Sequence, residues 1–187
     1  ALMLLTEARA PARMTAAGDL VPLSEQDRRR WRRADIERGV ALVTEALPHG
    51  PTGPFQLQAA IAAVHAEAPS WEATDWLQIA ILYRMLLRAA PSPAAEIGLA
   101  VATGMAHGPE AGLAAMTPLL ERPELVRGHR VHAAYGHLLE LAGRCGEARA
   151  AFELAARLTA SIPEQRYLAR KAGAAAGAVA RPPEAGA

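Results

Sequence analysis

Three histidines, His129, His132 and His137, lie close together in the sequence, and imidazole is the commonest side-chain ligand for transition metals. A tetrahedral site needs three or four donors converging on one point. Steps of three and then five residues do not bring three imidazoles to one face of a helix. HExxH is absent, and the single cysteine, Cys145, lies beyond the stretch. No metal ligands and no cofactor are therefore assigned. Cys145 stands beside Arg144 with no histidine at a fixed offset, so an unreactive thiol is expected. The chain also lacks a nucleophile elbow, a P-loop, a GxGxxG after a strand and carboxylates paired in a defined turn. No catalytic residue is assigned, and the expectation is a protein that is not an enzyme.

Side chains suited to binding are easier to find. The densest charge run is Arg28-Arg29-Arg30-Trp31-Arg32-Arg33. Between Ser24 and Arg38 six arginines face Glu25, Asp27, Asp35 and Glu37, so the local excess is small. Glu25–Arg29 and Arg33–Glu37 have the i,i+4 spacing that neutralises part of a helix face. Two readings stand side by side. In one, a solvated face surrounds a packed Trp31; in the other, Gln26, Arg28, Arg29 and Trp31 meet an acidic partner or a nucleic-acid backbone. His65 lies on the apolar stretch QLQAAIAAVHAEA, either as a buried structural histidine or, with Gln56 and Gln58, as part of a contact face. Trp71 and Trp76 bracket a long turn. They pin it if buried, and Trp76 joins the candidate partner-binding residues if exposed.

The elements that must carry these side chains are helices. Alanine occurs 45 times and aromatic residues make up 4% of the chain, a composition that favours helices in close contact. A helix is expected from an N-cap at Ser24, with Ile36, Val40, Val43 and Leu47 forming its apolar stripe. Further helices are expected over 54–67, 75–90, 93–107, 109–121, 129–142, 145–159 and 162–172. Pro54, Pro93 and Pro109 open three of them, where a missing N–H costs nothing. Ser161 and Glu164 have capping-box spacing. No stretch alternates with period two long enough to make a strand.

A repeat underlies this punctuation. Ile79, Leu113 and Ala148 are separated by 34 and 35 residues, each in the second helix of a pair. Gly108 and Gly143 are 35 apart, each in a turn between paired helices. Gly136, Gly143, Ala148, Phe152 and Ala155 follow the tetratricopeptide (TPR) offsets, with small residues at the crossing and an aromatic beyond. Leu139, Thr117 and the long Ser70–Trp76 turn depart from that pattern. The fold class expected is all-α: antiparallel helical pairs stacked as a degenerate TPR-like array, with a concave groove.

Composition bounds the rest. The chain has 187 residues, 51% hydrophobic and 21% charged, with a formal net charge of +1. That balance excludes a wholly disordered chain and argues against nonspecific nucleic-acid binding. One cysteine forms no intramolecular disulfide, and no apolar run reaches the roughly 18–20 residues that span a bilayer. No basic n-region followed by an apolar h-region occurs, so no secretory signal is expected. These features lead to the expectation of a soluble, cytoplasmic protein without membrane contact.

The segments LMLLTEARAPAR, VPLSEQDRRRW, GPFQLQAAIAAVHAEA, TDWLQIAILYRMLLRAAPSP and SIPEQRYLAR, in that order, resemble the C-terminal extension of a bacterial family. The family is that of extracytoplasmic-function (ECF) RNA polymerase sigma factors carrying a TPR-like C-terminal domain. The resemblance implies a domain that regulates transcription initiation by contacting the sigma core regions of the same polypeptide, RNA polymerase, or both. It implies no sequence-specific DNA contact from these residues. The residues themselves give the organisation expected: 1–10 as the end of a helix continuing from an upstream domain, 11–23 as a linker, 24–172 as the TPR-like domain and 173–187 as a frayed Ala/Gly/Pro-rich tail. Two departures stand out. Ala95-Glu96-Ile97-Gly98 replaces an Asn-Arg-Ala-type segment, and the Asp-Gly-rich linker is reduced to Ala17-Gly18-Asp19. The alternative expectation is a free-standing TPR-like adaptor that binds a peptide or a partner protein.

Overall fold

The structure is a computed structural model that describes residues 1–46, 48 and 52–179. Every regular element among them is helical. In order they are α1 (Leu2–Glu7), α2 (Arg33–Ala46), α3 (Pro54–Glu67), α4 (Trp76–Ala89), α5 (Pro93–His107), α6 (Pro109–Leu120), α7 (Pro123–Val126), α8 (His129–Leu141), α9 (Cys145–Leu158) and α10 (Ile162–Val179). From α4 onward short turns join successive helices, and apart from α1, which packs on both α2 and α3, each packs mainly on its sequence neighbours, so the molecule is a helical array.

Local chemistry sets the boundaries. Proline opens α3, α5, α6 and α7. Asp75 and Ser92 cap α4 and α5 by accepting from the backbone N–H of Gln78 and Ala95. Gly108 and Gly143 turn the chain with φ of +97° and +72°, a region L side chains avoid. α7 is a one-turn helix absent from the elements expected from sequence, although Pro123 marks its start.

The core is divided into three clusters in series. The first joins Leu5, Ala8 and Ala12 to Ile36 and Val43 of α2 and to Ala59, Ala63 and Ala66 of α3. The second joins Leu57 and Ile61 of α3 to Ile79, Ala80 and Leu86 of α4 and to Ala95 and Ala102 of α5. The third runs from Ala100 of α5 to Ala175 of α10, with Phe152, Met116 and Leu138 at its centre. Helices α3 and α5 are therefore buried on two sides, which is why their sequences are apolar nearly all round.

Alanine and glycine allow the close crossings. A Cβ built on Gly136 would lie 2.9 Å from the ring of Phe152, and one on Gly112 would lie 2.7 Å from the Gly104 Cα. Gly98 receives the ring of Tyr83 in the same way between α4 and α5. Ile79, Leu113 and Ala148, the repeat positions, are all buried.

The structure corrects the expectations from sequence at three places. Ser24 starts no α-helix: Leu23–Glu25 and Arg28–Arg30 are separate 3₁₀ turns, and α2 begins at Arg33. The reason lies in Asp27, whose carboxylate accepts from the Arg29 N–H and closes a local turn instead of a helix. Second, α1, expected as the end of a helix from an upstream domain, packs within the first cluster of this array, and residues 11–23, expected as a linker, form a folded strap. Met14 bridges to Leu20, with the Val21 N–H donating to the Arg13 carbonyl at 2.8 Å. Third, α10 continues past residue 172 to Val179, with Ala175 buried. Leu47 of the expected stripe and the end of the expected tail lie outside the described residues.

Candidate interaction surface

Four of the eight candidate residues, Arg28, Trp31, His65 and Trp76, converge around the arginine run. Arg28 lies in the second 3₁₀ turn, and its Nη1 donates to the carbonyls of His65 at 2.6 Å and Ala68 at 2.7 Å. Those oxygens belong to the end of α3, where carbonyls lack helical partners and the macrodipole favours a cation. The Arg28 guanidinium also covers Trp31, 4.6 Å from the ring centroid. Arg32 does the same for α1: its Nη2 donates to the Glu7 carbonyl at 2.7 Å, and its backbone N–H donates to the Ala8 carbonyl at 2.9 Å. Two arginines of the run thus tie the ends of α1 and α3 to the chain between them.

His65 connects this junction to the long turn before α4. Its ring stacks on Trp71 at 6.2 Å and meets Trp76 edge-on at 5.2 Å, while the two indoles touch at 4.5 Å. Burial, with Arg9 and Arg28 nearby, pushes the imidazole down to about 4. His65 is neutral at physiological pH. Several buried polar atoms at this junction have no hydrogen-bond partner among the described residues: His65 Nδ1, Arg28 Nη2, Trp31 Nε1 and Trp76 Nε1.

The candidate partner-binding residues therefore separate into two groups. Arg28, Trp31, His65 and Trp76 come together, but inside the fold, and their chemistry is turned on the chain itself. Gln26 is half-buried and donates to the Val21 carbonyl at 3.0 Å. Gln56 closes the start of α3, accepting from the Gly53 N–H at 2.7 Å and donating to the Ala46 carbonyl at 3.1 Å. Of these candidates, Arg29 and Gln58 alone present their side chains outward. The Arg29 side chain is 90% exposed and forms a two-point pair with Asp27, at 3.0 and 3.1 Å. Gln58 is exposed on α3.

The three histidines do not converge either. His129 pairs with Glu164 at 3.3 Å, His132 bonds the Val126 carbonyl at 2.8 Å, and His137 lies near Glu140. Lys171 bonds the same Glu140 and sits over the Phe152 ring. His132 is a structural residue with no signature in the sequence: it ties α8 back to α7.

The strap carries contacts that sequence reasoning missed. Asp19 faces Arg166 of α10 at 3.6 Å, and Arg170 donates to the Leu20 carbonyl at 3.4 Å. The segment from Arg13 to Arg28 thus bridges the last helix of the array and the end of α3. Residues far apart in sequence carry this bridge, so no local pattern could announce it.

Two apolar features remain on the outside. A cleft of about 580 Å³ lies between α1, α2 and α3, lined by Leu2, Met3, Leu42, Phe55 and Ala59. The outer face of α4 shows Leu77, Ile81 and Met85. No described helix is long and apolar enough to cross a membrane.

Comparison with known proteins gives two similarities. The profile of a family of unknown function, DUF6596, matches residues 1–47, which include α1, the strap and α2. An uncharacterized protein of Rhizobium meliloti is 45% identical over 168 residues, covering 90% of this chain and 39% of that protein. The chain spans about two fifths of the length of that relative. No solved structure matches the present chain.

Proposed function

We propose that this chain is a regulatory, protein-interaction unit of a longer polypeptide of the ECF sigma-factor class, and that it modulates transcription initiation through contacts with the sigma core regions, RNA polymerase, or both. The observation that carries this reading is the array itself. Helices buried on two sides and stacked in series create a long surface, an architecture suited to presenting side chains to another protein. The ordered sequence blocks that resemble the sigma-factor extension support the assignment to transcription. The match to a minor part of a longer Rhizobium meliloti protein supports a unit within a larger polypeptide. Arg29 and Gln58, the two candidate residues left facing outward, are the proposed contacts. Run-off transcription with the full polypeptide and core RNA polymerase tests the reading: promoter-dependent transcript supports it, and no association with core polymerase contradicts it.

A second reading, a free-standing TPR-like adaptor, draws on the apolar cleft between α1, α2 and α3, which has room for apolar side chains of a peptide. Binding partners recovered without any component of the transcription machinery would favour it.

A further inference from the structure

Most exposed large apolar residues of the array have a simple account. Met3, Leu42 and Phe55 line the cleft between α1, α2 and α3, while Leu141 on α8 and Ile162 on α10 stand alone. Isolated residues of that kind are ordinary on a protein surface. Helix α4 is different. Leu77, Ile81 and Met85 are 51%, 47% and 40% exposed, and they follow one another at steps of four. Arg84 and Arg88, also exposed, fall between and beyond them. At roughly 100° per residue, these five side chains lie within an arc of about 100° that runs the length of α4. The opposite side holds Ile79, Ala80 and Leu86, all in the second core cluster. The outer stripe is therefore not a core face turned slightly outward. It is a second apolar face with no partner among the described residues.

Its charge is one-sided. No acidic residue occurs from Trp76 to Pro93, and neither Arg84 nor Arg88 forms an ion pair among the described residues. Exposed arginines elsewhere, such as Arg30, Arg38, Arg127, Arg130 and Arg157, also lack an ion pair among the described residues; what sets Arg84 and Arg88 apart is that they flank an exposed apolar stripe on a helix with no carboxylate. We infer that the outer face of α4 docks an acidic amphipathic helix of a partner protein. That helix would place its own apolar residues, spaced by three and four, along Leu77, Ile81 and Met85, and its flanking carboxylates against Arg84 and Arg88. The inference does not require the sigma-factor reading, because it rests only on this face.

The test uses a synthetic peptide of about 20 residues with leucines spaced by three and four and glutamates on both flanks, and a counterpart with lysine at each glutamate. Fluorescence anisotropy measures both against the whole chain, against Ile81→Asp and against the double variant Arg84→Glu/Arg88→Glu. All three positions point outward in α4, so far-ultraviolet circular dichroism should match wild type in both variants. The glutamate peptide is expected to bind saturably and at least tenfold more tightly than the lysine peptide. Ile81→Asp should lose at least tenfold in affinity, and the charge reversal should exchange the preference between the peptides. Equal binding of the two peptides, or no saturation up to about 1 mM, overturns the inference. So does self-association of the wild type that Ile81→Asp abolishes, because a second copy would then be the occupant.

Discussion

Arg28 donates from Nη1 to the carbonyl oxygen of His65 at 2.6 Å, joining a 3₁₀ turn near the start of the chain to the last turn of α3. The same guanidinium covers Trp31 and reaches the Ala68 carbonyl. Two of the five arginines in a run that in sequence suggests an acidic partner, Arg28 and Arg32, act as a clamp within the chain. Their charge satisfies carbonyls that a helix end leaves open.

Removing the clamp should be costly. Arg28→Ala gives up charge-assisted hydrogen bonds to two carbonyls, an expected loss of about 2 kcal/mol. Thermal unfolding followed by circular dichroism should show Tm falling by roughly 4–8 °C for a chain of this size. Arg29→Ala, which removes only an exposed pair with Asp27, should leave Tm within about 2 °C of wild type.

His65 makes stability depend on acid. Its folded-state pKa, pushed down to about 4, lies below the ordinary histidine value, so the unfolded chain binds the extra proton first. Stability is then full above about pH 6.5 and falls as the pH drops from there toward 4, by roughly 3 kcal/mol at most. Burial lowers His137 as well, and its effect has the same sign. Urea unfolding at several pH values measures the slope. His65→Phe keeps an aromatic ring between Trp71 and Trp76 without the titration, and it should flatten that slope substantially.

The glycine crossings can be ranked. At Gly136 a methyl group meets the buried Phe152 ring, and Gly136→Ala should cost about 1–2 kcal/mol net of the gain in helix propensity. At Gly112 the obstacle is backbone, the Gly104 Cα, which yields less, so Gly112→Ala should cost more. Gly146, in the first turn of α9, has open space where a methyl would go, with nothing within 4 Å. Gly146→Ala should therefore be neutral or stabilising by up to about 1 kcal/mol. Urea midpoints of the three variants check the order.

The strap is held to α10 by exposed polar contacts, each worth about 0.2–1 kcal/mol. The double variant Arg166→Glu/Arg170→Glu should therefore speed hydrogen exchange of the Thr15, Gly18 and Val21 amides by about fivefold. Exchange in α5, α6 and α8 should stay at the wild-type rate. Unchanged exchange in the strap would show that its own hairpin, and not α10, holds it in place.

Legibility in the sequence follows the range of the interactions. The bounds of α3 and α5 are readable because Pro54 and Pro93 fix the starts, while Ala68 and Gly108 close the ends by local geometry. Gly108 and Gly143 announce their turns for the same reason. The segment from Ser24 to Trp31 misleads, since its apparent helix start competes with the Asp27 turn and with carbonyls of a helix nearly 40 residues away. The strap is illegible because its partners, Arg166 and Arg170, lie at the far end of the chain. Of the candidate surface, Arg29 and Gln58 do face outward, while Arg28, Trp31, His65 and Trp76 pack on one another or on the end of α3. The α4 face escapes a sequence reading, because an outward apolar stripe and an inward one have the same spacing.

The proposed regulation of transcription through the outward polar residues is most directly tested by run-off transcription. Core RNA polymerase would be combined with the full polypeptide as wild type, as Arg29→Glu and as Gln58→Ala. At least one variant should change transcript yield severalfold while its circular dichroism spectrum and Tm stay at wild-type values. Unchanged transcription from both variants would contradict the proposed role.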